Sequence, residues 1–281
     1  MGIFDGCLLA CDVDGTLVVS EYLPPKNIEA LEYFKSEGGT LCLATGRTAG
    51  ALDLVTKQYG GFGPSVVSNG SMIYDIENDS VLYKTSLTES DKKTALDILK
   101  ICPTVACELH SGKQVIVISR TSESDDHEEY ENIPTLFLDK SEIFNYDLEK
   151  ILFLFSPGSD EKTVTDYIST IEHTCHFTPS ACTIKGIKRR YLEVLPNGVS
   201  KAKSLGKLCE IKNIDRKKVF AIGDYFNDLP MLKFANISAC PSESPDEIKE
   251  QSTFVVCSAR DGAVADFIDI LKGEILNGRT N

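Results

Sequence analysis

The chain has 281 residues, 42% of them apolar and 25% charged, which is enough for a sizeable core without disulfide or metal staples. Its formal net charge of −13, offset by no basic stripe, argues against nucleic acid as a partner and repels phosphorylated ligands at long range. No run reaches the roughly 18 apolar residues of a membrane span, and Met1 to Gly6 lack the basic-then-apolar pattern of a secretory leader, so a cytoplasmic protein is expected.

In chain order, Cys7 to Ala10 is a short apolar run that reads as a buried parallel strand ending at the Asp12–Gly15 turn. Pro24-Pro25 opens a helical pattern with Ile28, Leu31 and Phe34 on one face, stopped by Gly38-Gly39. Leu41 to Ala44 predicts a second strand, followed by Thr45-Gly46-Arg47 and a helix over Ala51 to Tyr59. Val66-Val67 and Met72 to Tyr74 bracket Asn69-Gly70, a pair suited to positive φ. This βαβαβ start is the grammar of a doubly wound α/β sheet.

The middle reads differently. Ser86 to Cys102 is an amphipathic helix, and Val105 to Leu109 with Gln114 to Ser119 form a hairpin through Gly112-Lys113. The acidic stretch Glu123 to Asn132 reads as polar, with Asp125-Asp126-His127-Glu128-Glu129 as a solvated loop. Ile151 to Phe155, a helix near Thr163 to Ile171, and strands near His176 and Tyr191 complete an α+β region with an antiparallel sheet. The core is therefore expected from 1–85 and 196–281, with 86–195 as an insertion. After it come a helix at Lys201 to Leu208, a strand at Val219 to Ile222 and a helix from Asn227 to Phe234. Strands at Ile237 to Ala239 and Phe254 to Val256, and a helix from Gly262 to Leu271, close the pattern. Asp12, Thr45 and Asp224 each follow an apolar strand directly, and ligands of such sheets bind beyond the carboxyl ends of the strands.

Asp12 and Asp14 lie two apart at a strand end, so both carboxylates point to one side. An ionised Asp12 suits attack on phosphorus, and Asp14 suits proton transfer to the leaving oxygen and from water. Gly15 admits close backbone approach, and Thr16 can brace the loop. Gly223-Asp224-Tyr225-Phe226-Asn227-Asp228 supplies further carboxylates for a magnesium ion, which prefers such oxygens and takes substrate phosphate as a ligand. Thr45 with the amides after Gly46 suits a phosphoryl oxygen, and Lys201 suits the charge of the transition state.

These segments, in this order, resemble the haloacid dehalogenase superfamily. Asp12-Val13-Asp14-Gly15-Thr16 looks like its nucleophile loop, Thr45 its phosphate-binding threonine, Lys201 its basic residue, and Gly223-Asp224 with Asn227-Asp228 its acidic motif. Leu43-Ala44-Thr45-Gly46-Arg47, Ser68-Asn69-Gly70-Ser71 and Gly198-Val199-Ser200-Lys201 look like the Cof-type sugar-phosphatase branch, in which alanine often stands where this chain has Ser71. The resemblance implies a Rossmann-like core with an inserted C2-type α+β cap, Asp12 as nucleophile and Asp14 as general acid/base. It implies Mg2+ held by Asp12, the Asp14 carbonyl and Asp224, with Asp228 in support. Gly15, Thr45, Gly46, Arg47, Asn69, Lys201 and Asn227 would line the phosphate and substrate side. A magnesium-dependent phosphatase for a small cytosolic ester, such as a sugar phosphate, is the expected function.

A phosphomutase using the same nucleophile is the alternative; it needs a cap that holds a second phosphate, and only Lys188-Arg189-Arg190 hints at one, otherwise reading as a solvated turn. A non-catalytic phospho-ligand sensor would be expected to lack Asp12, Asp14 or Asp224, all of which are present. His173, Cys175 and His176 are spaced too tightly for the usual zinc patterns and read as a polar helix-to-strand junction. The ten cysteines lack paired spacing and are expected as free buried thiols. A small molecule is the expected partner and a monomer the default state, with a dimer as the other option.

Overall fold

The computed structural model describes residues 2–156, 161–184 and 186–278, with the side chains of 181–183, and so that of Cys182, outside the description. The chain divides into two compact units. The first comprises Met1–Arg47, Leu52–Tyr83 and Ser200–Asn281; the second comprises Thr48–Ala51 and Lys84–Val199.

The first unit is built on a five-stranded sheet ordered Phe254–Val256, Ile237–Pro241, Val219–Ile222, Leu8–Cys11, Thr40–Leu43. Every pairing in it is parallel. Strands covered on both faces must be apolar on both, which is why Leu8, Leu9, Ala10 and Cys11 form an unbroken run with no exposed surface. Leu8 and Ala10 pack with Leu205, Leu208 and Met231, so the helices Lys201–Lys212 and Leu229–Phe234 cover that face. Helices Pro25–Ser36 and Ala263–Leu276 pack against each other. From Leu8–Cys11 the chain moves outward to Thr40–Leu43, and returns much later on the other side as Val219–Ile222. The strand order therefore reverses between Leu8–Cys11 and Val219–Ile222, and a crevice opens at their carboxyl ends.

Beside this sheet, Pro64–Val67, Met72–Asp75 and Ser80–Lys84 make a three-stranded sheet in sequential order. Ser68, Asn69 and Gly70 join the first two strands with φ of 50°, 52° and 97°. The helix expected over Ala51 to Tyr59 is shorter and later: a 3-10 turn at Ala49–Leu52 leads into one helical turn at Asp53–Thr56. Gly60-Gly61 follows closely and offers nothing to extend it.

The second unit holds a six-stranded sheet ordered His176–Ile184, Ile187–Leu195, Lys150–Phe155, Ala106–Ser111, Gln114–Ser119, Thr135–Phe137. Its pairings are antiparallel except the last, which is parallel. One face is apolar: Cys107, Leu109, Ile151, Phe153, Leu192 and Val194 pack under Ala95, Ile98 and Leu99 of the helix Glu89–Ile101 and Val164 of the helix Glu161–Thr170. Alternate residues of the same strands (Glu108, His110, Lys150, Arg189, Glu193) point the other way, yet are also buried.

Two expectations are corrected here. The acidic stretch is not a solvated loop but the helix Ser122–Glu131, capped by Thr121, with Glu123, Ser124 and His127 buried. Its inward face is polar where it meets the buried Glu108 and Arg189 of the sheet, beside an apolar patch of Ala106, Leu152, Leu154 and Tyr191. Lys188-Arg189-Arg190 is not a turn but lies within the strand Ile187–Leu195. Arg189 is buried against Glu123, at 3.4 Å, and Asp126, and Arg190 pairs with Glu161 at 2.9 Å.

At the His173–His176 junction, His173 Nδ1 lies 2.9 Å from the Cys175 carbonyl and its ring meets Phe177 edge-on, while Cys175 joins the apolar cluster. Nine cysteines are described as free thiols, all buried except the partly exposed Cys257.

Candidate active site

Asp12 follows the last residue of the central strand, where its amide donates to the Ile222 carbonyl at 2.9 Å and locks it to the neighbouring strand. Its carboxylate is buried, 6% exposed, whereas the Asp14 side chain is 50% exposed. Gly15 between Asp14 and Thr16 has φ +86°, and a Cβ there would lie 2.6 Å from Asp224 Oδ2. That position thus needs glycine twice over, for its backbone angle and for the approach of Asp224. Thr16 is fully buried, and its hydroxyl donates to Asp224 Oδ1 at 3.3 Å.

Thr45 sits at the end of the adjacent strand, 1% exposed, and its hydroxyl oxygen accepts the Arg47 amide at 3.0 Å. The hydroxyl proton is then the group that Thr45 has to offer outward. Arg47 forms a two-pronged bridge to Asp14: Nε donates to Oδ2 and Nη2 to Oδ1, both at 2.8 Å. A planar guanidinium fork is suited to this and fixes the carboxylate plane. Nothing in the sequence announced that pairing, since 33 residues separate the two partners.

The left-handed turn Ser68–Gly70 has a second function that the sequence did not reveal. A Cβ on Gly70 would lie 2.3 Å from the Ser200 carbonyl, and the Ser204 hydroxyl donates to the Gly70 carbonyl. This turn therefore buttresses the start of the helix that carries Lys201. Two non-glycine residues at positive φ are the cost of that close fit. The signal was the Asn-Gly pair, whose capacity for positive φ was readable although its packing partner was not. Asn69 also accepts from Asn227 Nδ2 at 3.1 Å and stands against Gly46, where a Cβ would meet its Nδ2 at 3.2 Å.

Lys201 is 1% exposed and donates to Asp12 Oδ1 and Asp228 Oδ1, each at 2.6 Å. The other oxygen of Asp228 accepts the amides of Asp224 and Tyr225 at 3.1 Å each. Both oxygens of Asp228 are thus engaged in fixing the loop and the ammonium. A Cβ on Gly223 would lie 2.5 Å from Asp228 Cγ, so the Gly-Asp pair that starts this loop leaves room for Asp228 to turn inward.

Oxygens of Asp12, Asp224 and Asp228 lie within 4.8 Å of one another, the one such acidic, histidine or cysteine group among the described residues. Three carboxylates here face one ammonium. Burial, then the Asp228 charge, raises the Asp12 carboxyl well above the usual carboxylate range. The same two causes raise Asp224 to about 6. For Lys201, burial favours the neutral amine, but the Asp12 and Asp228 charges outweigh it and push its pKa up. The excess of negative charge and the all-oxygen donor set fit a hard divalent cation.

Over residues 9–268 the chain matches the family model of haloacid dehalogenase-like hydrolases. It is 23% identical over 273 residues to the 5-amino-6-(5-phospho-D-ribitylamino)uracil phosphatase YitU of Bacillus subtilis, covering 93% of this chain and 96% of that one. Its fold is similar to that of the subclass IIB sugar phosphatase BT4131, with a TM-score of 0.79 at 19% identity over 94% of this chain and 98% of the other. A HAD/COF-like hydrolase from Plasmodium vivax superposes with a TM-score of 0.77 at 22% identity, over 98% of each chain. The chain belongs to the haloacid dehalogenase-like hydrolases and is a phosphatase of their Cof-type branch.

Proposed function

We propose that this phosphatase hydrolyses a small cytosolic phosphate monoester, a sugar phosphate or similar metabolite, through a phosphoryl group carried on Asp12. The observation that carries this reading is the clamp of Lys201 on Asp12 and Asp228 at 2.6 Å each, beside Asp224, at the point where the strand order reverses. The Lys201 ammonium opposes the pull of burial on the Asp12 carboxyl and fixes it in place beside Asp224. An ionised, oriented carboxylate is a competent nucleophile toward phosphorus.

In this reading the Asp12 oxygen attacks phosphorus, the ester oxygen leaves, and the resulting acyl phosphate is opened by water. Thr45 offers its hydroxyl proton to a phosphoryl oxygen, and Lys201 balances charge that grows on the transferring group. Asp14 supplies the proton to the leaving oxygen and takes one from water. The Arg47 fork engages both Asp14 oxygens, so proton transfer by Asp14 requires that fork to loosen. Asp12 and Asp224 would hold Mg2+ together with the Asp14 carbonyl, with Asp228 supporting through Lys201 and the loop amides. When bound, the ion would offset the carboxylate and phosphate charges that otherwise repel each other.

Relatives named for a phosphorylated ribityl compound and for sugar phosphates support a polyhydroxylated leaving group. The phosphomutase alternative loses its supporting feature, because Arg189 and Arg190 already pair with carboxylates of their own unit. Free thiols at the nine described cysteines suit the reducing cytoplasm.

Phosphate release from a panel of cytosolic monoesters, with and without Mg2+, tests the proposal. Turnover should require the ion and fall at least about a thousandfold in Asp12→Asn, whose amide is no nucleophile. Asp12→Asn turnover close to the parent rate would overturn the nucleophile assignment.

A further inference from the structure

The loop that carries Asp224 and Asp228 also carries two adjacent aromatic side chains that the phosphoryl chemistry does not use. Tyr225 is 56% exposed and Phe226 48%, although a buried aromatic side chain is among the largest contributors to a core. They touch each other edge to face, with centroids 5.1 Å apart and ring planes at 79°. This is a corner: one ring presents its face while the other stands beside it.

The corner is held stiffly. The Tyr225 amide donates to Asp228 Oδ2 at 3.1 Å, and the Tyr225 carbonyl accepts the Asp228 amide at 3.0 Å. The Phe226 carbonyl accepts the Leu229 amide at 3.3 Å, and Asn227 is tied to Asn69 at 3.1 Å. Asp224 and Asp228 on either side belong to the acidic cluster, and both rings between them are exposed. Two peptide units separate Asp224 from Phe226, which places their Cα atoms at most about 7 Å apart. A ring a few bonds from the ester oxygen falls within that reach. Lys201 and Arg47 pair with the carboxylates of Asp12, Asp228 and Asp14, and an uncharged ring needs neither of them.

We propose that Tyr225 and Phe226 seat a planar, uncharged ring on the leaving group, so that the preferred substrates are phosphate monoesters of ring-bearing alcohols. This rests on the phosphatase site described above and adds a specificity determinant on the nucleophile-bearing unit itself. Rings that stand edge to face offer both a stacking face and a flanking edge, and flat unsaturated rings gain more from both than puckered saturated ones. A stiff loop gives that contact without an ordering penalty at binding.

Benzyl phosphate and cyclohexylmethyl phosphate test this directly, since they differ only in the flatness and unsaturation of the ring. The parent enzyme should favour benzyl phosphate in kcat/KM. A Tyr225→Leu, Phe226→Leu double variant should lower that ratio about tenfold, with the change carried by KM. Restoring a ring with Phe226→Trp in the Tyr225→Leu background should recover most of the preference. Both side chains are exposed, so folding is expected to survive, and a circular dichroism spectrum checks it. No preference in the parent, or an equal fall on both esters in the double variant, overturns the proposal. Absence of phosphate release from both esters, in a protein that hydrolyses other monoesters of the cytosolic panel, overturns this inference alone, as does release abolished by Asp12→Asn with an unchanged ratio; absence of release from the whole panel overturns the proposed hydrolysis along with it.

Discussion

Lys201 and Ser71 show how differently one buried polar group can act from another. Lys201 is enclosed by two carboxylates, and deleting its ammonium leaves Asp12 and Asp228 facing each other without a cation. Breaking a buried pair in this way costs about 3–5 kcal/mol. Lys201→Met is therefore expected to lower the urea midpoint clearly and to cut kcat about a hundredfold or more. A variant that keeps both would mean the clamp is neither structural nor catalytic. Ser71 is the opposite case: its hydroxyl is fully buried and has no hydrogen-bond partner. An unpaired buried hydroxyl costs about 1–3 kcal/mol, so Ser71→Ala should raise the melting temperature with kcat unchanged. A lowered melting temperature would show that the hydroxyl has a partner after all. Neither effect was readable from the residues alone. Lys201 was singled out only because acidic motifs accompany it, and the cost at Ser71 appears only when its surroundings do.

The helix Ser122–Glu131 is the element that the sequence hid most completely. Helices are found by apolar periodicity, and Ser-Glu-Ser-Asp-Asp-His-Glu-Glu-Tyr-Glu has none to find. Its inward face is matched by charge instead. His127 Nδ1 lies 2.9 Å from Glu108 Oε2 on the sheet, and its Nε2 lies 3.9 Å from Glu131 on its own helix. His110 on the same strand as Glu108 and Lys150 on the next complete the charged surroundings, with the Tyr191 ring edge-on at 5.4 Å. For His127, burial favours the neutral ring, but the Glu108 carboxylate outweighs it and raises the pKa. Glu108 is lowered to about 2, its burial outweighed by His127 and His110. His110, by contrast, is lowered to about 4 by burial and then by Lys150. A raised histidine stabilises fully below its unfolded value and loses that contribution as pH rises through the folded value. His110 works the other way, since the unfolded chain takes up a proton between about 6.5 and 4 that the folded chain does not. Comparison with His127→Gln isolates the first effect. The variant should be less stable by about 2 kcal/mol near pH 6. The gap should narrow by pH 9, in urea unfolding followed at both values. A gap independent of pH would show that His127 holds the helix by shape and not by charge.

At the scale of the whole chain, the parallel sheet of the first unit was legible because strands covered on both faces must be written as short apolar runs. Cys7 to Ala10, Leu41 to Ala44 and Val219 to Ile222 are such runs, and each is followed by a residue of the candidate site. Which strands become neighbours was not legible, because Leu8–Cys11 pairs with Val219–Ile222 across some two hundred residues of intervening chain. That pairing is what brings Asp12 to Asp224 and concentrates negative charge where the two chain ends meet. A divalent cation held there would replace repulsion by a link between the earliest and latest strands of the unit. Ligand that binds only the folded state adds stability by mass action, about 2.7 kcal/mol at a hundred times its dissociation constant. Millimolar Mg2+ is therefore expected to raise the thermal midpoint of the first unit, by several degrees at saturation. Asp224→Asn should start with a higher midpoint than the metal-free parent, because it removes a charge that burial and Asp228 both oppose. The same variant should gain much less from Mg2+, having lost one of its ligands. The two effects have opposite signs, so their combination separates ion binding from a general salt effect. Equal gains in parent and variant would show that Asp224 is not part of a magnesium site.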